Sequence, residues 1–271
     1  MILVCINVSC NKDNNSSSTN QEDPEIQEDT VVPASTINGV FSVGEHKKIM
    51  FSKGNLQYQA STKTWRFADN QWDYIGNANI NISYNYSGWI DLFGWGTGNN
   101  PSNNSSILGD YGFFYDWGNN IIPNSGNSTN HWYTLSKGEW DFVFRNRTTI
   151  SGVRYVKAIV NGNNGVILLP DNWDMNTYSL HTGIEYSANQ IDASNWIILE
   201  SAGAVFLPAG GFRNPYANVI KNVGTGGYYW ATTINGDKCA YCVNFYDEGF
   251  KLRADLYRRN GMSVRLVCDA Q

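Results

Sequence analysis

The chain has 271 residues, a net charge of −5 and a sequence pI near 5.2, enough length to bury a large core and no basic excess to attract nucleic acid. Apolar residues make up 42% and aromatics 14%, while charged residues are only 16% and Gly reaches 26. That balance excludes long charged helices as the main element and favours many turns and short strands.

No apolar run approaches a membrane-spanning length. The three His residues, His46, His131 and His181, are scattered without metal-ligand spacing, so neither metal nor cofactor is expected. There are five Cys: Cys5, Cys10, Cys239, Cys242 and Cys268. An odd number in an exported protein leaves at least one thiol free unless it pairs between chains.

Residues 1–10 are a short apolar run ending at Cys10, followed by a Ser-, Asn- and acid-rich tract. This order resembles the end of a bacterial lipoprotein signal, in which Cys10 is acylated and holds the protein to a membrane. Asn7 stands where an aliphatic residue is usual, and there is no basic segment ahead of it; the competing reading is a cytosolic chain with a ragged start. The Lys12-Asp13 pair resembles export signals of surface lipoproteins in Bacteroidetes-type bacteria, which implies the outer membrane or cell surface. Residues 11–36 are expected to be a disordered linker, and 37–271 one folded domain.

Within that domain, 39–43 and 48–52 read as strands. Alternation over 56–59 and 64–67 predicts a hairpin with Leu56, Tyr58, Trp65 and Phe67 on packed faces. Residues 69–130 lack either period and read as long ordered loops pinned by Trp72, Trp89, Trp95 and Trp117. Ser136 with Glu139 forms a capping-box pattern ahead of Trp140, Val143 and Phe144, which predicts a short helix over 137–145. A strand over 153–160, a tight turn at 161–165 and a buried strand over 165–170 follow. Ser194 is expected to cap a second helix ending near Ser201. The run Gly203-Ala-Val-Phe-Leu-Pro208 echoes Gly165-Val-Ile-Leu-Leu-Pro170, so the two strands are expected to share a layer.

Three further stretches complete an ordered set with Trp132-Tyr-Thr-Leu-Ser-Lys-Gly-Glu-Trp140. They are Phe206-Leu-Pro-Ala-Gly-Gly-Phe-Arg213, Gly227-Tyr-Tyr-Trp-Ala-Thr-Thr233 and Gly261-Met-Ser-Val-Arg-Leu-Val267. Together they resemble landmarks of the formylglycine-generating-enzyme (sulfatase-modifying-factor) superfamily, most closely a non-enzymatic branch of secreted paralogous domains in gut Bacteroidetes. The resemblance implies an α+β, C-type-lectin-like fold: small twisted antiparallel sheets, two short helices and long ordered loops. The same fold carries the variable proteins of diversity-generating retroelements, whose diversified segment lies between the last two landmarks.

The resemblance also frames the candidate sites. The enzymatic branch binds copper through a cysteine pair. Here Cys239 and Cys242 lie three apart on an alternating strand, facing opposite sides and outside the context of that pair, so catalysis is not expected. The calcium motifs of lectins are missing too. What remains is recognition of a protein or glycan. On the strand over 240–246, Tyr241, Val243 and Phe245 are assigned to the core, and Cys242, Asn244 and Tyr246 to the surface. After a turn at 247–249, Lys251, Arg253, Asp255, Tyr257, Arg258 and Arg259 read as an exposed loop whose Tyr and Arg side chains suit contact surfaces. An ordinary solvated loop is the competing reading. Arg265 is expected to pair beneath the surface with a carboxylate or a loop carbonyl.

Overall fold

A computed structural model describes residues 35–126, 131–247 and 249–270, the side chains of 252–255 excepted. The expected signal remnant with Cys10 and all but the last two residues of the expected linker lie outside the described residues. The fold is built mostly from small antiparallel sheets with few helices. Ser35 is already buried, and Thr36 bridges to Ser52, so packed structure is under way by residue 35.

Strands β1 (Phe41–Ser42) and β2 (Lys48–Phe51) open the chain, and β2 pairs antiparallel with the final strand, β15 (Val267–Asp269). The hairpin of β3 (Leu56–Gln59) and β4 (Thr64–Phe67) forms in the expected register, Leu56 opposite Phe67 and Tyr58 opposite Trp65, all four buried. Its turn holds Lys63 at φ 53°, and β5 (Trp89–Ile90) adds to the other edge of β3. Residues 91–126 contain short 3-10 turns and isolated bridges, with Trp95 and Trp117 buried as anchors; Trp72 and Trp89 are only partly buried.

Helix α1 (Lys137–Asp141) starts on the expected capping box, Ser136 accepting from the Glu139 amide and Glu139 from the Ser136 amide. It widens into a π-turn over Phe142–Asn146, bringing Val143 and Phe144 into the core. The hairpin β6 (Tyr155–Val160) to β7 (Asn163–Leu168) turns at Asn161 and Gly162, both with positive φ, as a two-residue hairpin loop requires. β8 (Gln190–Ile191) joins β6 in a short parallel pairing. α2 (Ala193–Ser201) is capped by Asp192, whose carboxylate accepts from the Asn195 amide, and not by Ser194 as expected; the stronger acceptor two residues earlier takes the role. β9 (Val205–Pro208) pairs antiparallel with β7, Gly165 opposite Pro208, so the two echoing runs do share a sheet.

β10 (Phe212–Asn214) and β11 (Val219–Lys221) form a small hairpin. The last sheet runs β12 (Gly226–Asn235), β13 (Cys239–Tyr246), β14 (Gly249–Tyr257). β14 occupies the stretch expected to be a loop: its charged residues sit on an edge strand, where charge is tolerated and blunts edge-to-edge pairing.

Two buried cations tie these pieces together. The fully enclosed Arg147 pairs with Asp171 at 2.9 Å and donates to the carbonyls of Val143, Arg154 and Leu169. Asp171 in turn accepts from the amide and hydroxyl of Ser42. Arg265 donates to Gln71 Oε1 at 2.7 Å and reaches Asn55 Oδ1 at 3.5 Å, so its partners are side-chain amides, neither a carboxylate nor a loop carbonyl. Burial pulls the Arg265 guanidinium down to about 10, still cationic at neutral pH. Among the described residues no helix is long and apolar enough to cross a membrane.

Candidate functional site

The sheet of β12, β13 and β14 has a packed layer on each side. Tyr229, Ala231, Val243 and Phe245 join the core around Trp140 and Phe51. Tyr228, Trp230, Ala240 and Cys242 join the core around Trp65 and Trp117. Two adjacent Tyr residues therefore point into different cores, as alternation along a strand demands. This corrects the surface assignment of Cys242 and Asn244, which are fully buried. The Asn244 amide donates to Gly227 O at 3.2 Å, and cysteine packs as a small hydrophobe, so a polar-looking alternation conceals a second interior face.

Of the predicted contact residues, Tyr246 and Lys251 lie at the turn end of the β13–β14 hairpin and Tyr257, Arg258 and Arg259 at its open end, with Arg253 and Asp255 between them. Lys251 and Tyr257 are six residues apart on one strand, about 20 Å at strand rise. At the turn end, Tyr246 and Lys251 line a cleft of about 440 Å³ with Thr225, Asp247 and Gly249. Its wall is braced: the Tyr228 and Tyr246 hydroxyls meet at 2.8 Å, and Asn222 donates to Tyr228 at 2.5 Å. Asp247 accepts from the Tyr186 amide at 2.8 Å, and the buried Lys157 ammonium donates to the carbonyls of Tyr246 and Asp247. Burial raises the Tyr186 and Tyr228 phenols, so both stay protonated at neutral pH.

At the far end, Arg258 is buried. Its guanidinium donates to Asp237 O and lies 5.4 Å from the Trp95 ring centre, while its carbonyl accepts from the Trp95 amide. It braces the β12–β13 turn and is not an open contact, again correcting the expectation. Arg259 differs. Its guanidinium lies 4.7 Å from the ring centre of Tyr257 and 5.0 Å from that of Tyr216, and it donates to Ser106 O at 3.0 Å. Tyr257 is 43% exposed and Tyr216 74%. Arg253 and Asp255 lie on β14, but their side chains are outside the described residues.

Tyr216 was not among the residues expected from sequence. Its signal is local: Asn214-Pro-Tyr-Ala-Asn218 is a turn, in which Asn214 Oδ1 accepts from the amides of Tyr216 and Ala217, and Asn218 sits at φ 49°. The turn holds the Tyr216 ring out from the surface, where it meets the Arg259 guanidinium.

Among the described residues, Cys239, Cys242 and Cys268 form no disulfide with one another. A register shift separates Ala240 from Cys242, yet Cys239 stays half-buried opposite Tyr257 while Cys242 lies in the interior. Burial, reinforced by Asp269, pushes the Cys268 thiol up to about 12. Among the described residues, no group of three or more His, Cys, Asp or Glu is placed to hold a metal ion. Comparisons with protein-family models, curated proteins and solved structures return no match for this chain.

Proposed function

We propose that this chain is a binding protein of the cell surface or periplasm, lipid-anchored through Cys10, that recognises a protein or glycan through its C-terminal region. The observation that carries the reading is the Arg259 guanidinium set against two exposed tyrosine rings and anchored on Ser106 O. Such a cluster is held in place before binding, so little side-chain entropy remains to be lost on contact.

The resemblance to the C-type-lectin-like fold is part of this proposal. The pairing of β2 with β15 and the buried Arg265 within Ser263-Val-Arg265 support it. Diversification by a retroelement is one form of the same function; a neighbouring reverse transcriptase with a template repeat matching residues 228–265 would establish it. The oxidase alternative needs paired, reachable thiols, and the interior position of Cys242 speaks against that role. A structural role in a surface assembly is favoured by one feature, the exposure of Ile197 and Ile198 on α2.

The test is binding of the whole chain to glycan and protein arrays, with Tyr257→Ala plus Arg259→Ala beside the parent. The double variant should lose the parent's strongest partner by ten-fold or more. Unchanged binding would remove this surface as the site.

A further inference from the structure

Beside the Arg259 cluster, the long loop 94–115 encloses a cavity of about 190 Å³ that the proposed surface does not use. Its floor holds Trp95 and Tyr111, both buried. Both are fixed: Trp95 Nε1 donates to Ala231 O at 2.9 Å, and Tyr111 donates to Ser105 O at 2.9 Å. One wall is pinned where Tyr115 and the 96–98 backbone exchange hydrogen bonds at 3.0 Å. At the lip stand Phe113, 78% exposed, and Tyr115, 48% exposed. The side chains of Asn99, Asn100 and Asp110 also line it, are exposed, and make no hydrogen bond among the described residues. A preformed hollow with fixed aromatic surface and several uncommitted polar groups is the ordinary form of a small-ligand site.

The chemistry narrows the ligand. The volume falls below the ~300–1,000 Å³ of sites that enclose drug-sized molecules, so it admits about one ring. Among the described residues, Asp110 is the only charged one lining the cavity, which disfavours an anion. A cation is disfavoured by Arg213 and Arg259, both within electrostatic reach of Tyr111, and by Arg258 over Trp95. Amides donate and accept alike, so two asparagines and a carboxylate suit vicinal hydroxyls. The ring surfaces of Phe113 and Tyr115 suit a C–H face.

We infer that this cavity binds one ring of a neutral glycan, with Phe113 and Tyr115 as the stacking surface and Asn99, Asn100 and Asp110 reading its hydroxyls. The inference deepens the recognition reading and rests on it in one respect, that the chain binds a ligand without converting it.

The experiment titrates the full chain with neutral, acidic and cationic glycans and follows ligand signals by saturation-transfer NMR. The parent is compared with Phe113→Ala, Asn100→Ala and the Tyr257→Ala plus Arg259→Ala double variant. Phe113 and Asn100 are exposed, so their variants should fold, and matching circular dichroism spectra check this. Binding of a neutral glycan, weakened ten-fold or more by Phe113→Ala and by Asn100→Ala, supports the cavity. Neutral-glycan binding lost only in the double variant overturns the cavity and leaves the proposed surface standing. Absence of neutral-glycan binding, or binding of only charged glycans, also overturns it; a protein partner lost in the double variant would then still uphold the broader reading.

Discussion

Gln71 accepts a hydrogen bond from Arg265 at 2.7 Å and, through the same oxygen, one from the Phe206 amide at 2.8 Å. Its amide nitrogen donates to Glu200 at 2.8 Å and to Ala204 O at 3.2 Å. One neutral side chain thus joins the segment before β15, the end of α2 and the start of β9. Gln71→Ala leaves the Arg265 cation without its shortest partner in a dry interior. A loss of about 2–3 kcal/mol is expected in urea unfolding. A loss below about 1 kcal/mol would show that Asn55 suffices alone.

Asp171 faces a second enclosed cation. Asp171→Ala removes the Arg147 counter-charge and the acceptor for Ser42 in one step. Breaking a buried pair from one side costs about 3–5 kcal/mol. Asp171→Asn keeps the shape and an acceptor, and should cost less. Equal losses in the two variants, measured by urea midpoint, would mean that the charge carries the whole interaction and the retained acceptor contributes nothing.

Asp91 is fully buried, and burial pushes its carboxyl up to about 6, against hydrogen bonds from the Ile75 amide and Asn79 that favour ionisation. Its folded pKa therefore lies above its unfolded value near 4. Between those values the native state holds the proton more tightly, so this group's stabilising contribution is complete below about pH 4 and is lost as pH rises to about 6 and beyond. Two units correspond to on the order of 2–3 kcal/mol. Subtracting the Asp91→Asn variant's stability from the parent's across pH 4–7 should give a falling curve, and a flat or rising one would contradict the shift.

Two glycines give a matched pair. A Cβ on Gly118 would meet the Trp132 carbonyl below contact distance, where Asp116 also binds the amide and hydroxyl of Thr134. Gly118→Ala should cost about 1–3 kcal/mol or more. A Cβ on Gly138, in α1, meets nothing within 4 Å. Gly138→Ala should gain roughly 0.5–1 kcal/mol of stability from helix propensity, read as a higher melting temperature.

Features written in neighbouring residues are legible in the sequence. The β3–β4 hairpin, the Ser136 capping box and the β6–β7 turn depend on period and turn chemistry within a dozen residues. The kinship of β7 and β9 is legible because both carry the same apolar run ending in Pro. Features decided by distant partners are not. The strand over Gly249–Tyr257 is hidden for another reason: its partner β13 lies just before it in the chain, but its charges read as a solvated loop. Asn244 looks exposed, because the layer around Trp65 and Trp117 that packs on the face it shares with Cys242 comes from far away in the chain. The site suffers most: of eight expected contact residues Asn244 is buried, Tyr246 and Lys251 lie at one end of a hairpin and Tyr257 to Arg259 at the other, and Tyr216 and the 94–115 cavity come from segments that alternation cannot connect.

The pairing of Met50 with Cys268 places partners from the two ends of the described chain side by side in one small sheet. Emerging from a ribosome, β2 waits for all the elements from β3 to β14 before its neighbour exists. Until then Ile49 and Phe51, both destined for full burial, have no sheet partner on that side. Such a molecule cannot finish folding piecemeal as it is made, and its folding should be slow for its size. Removal of β15 should therefore cost the beginning of the domain as much as its end, leaving the N-terminal strands open to protease.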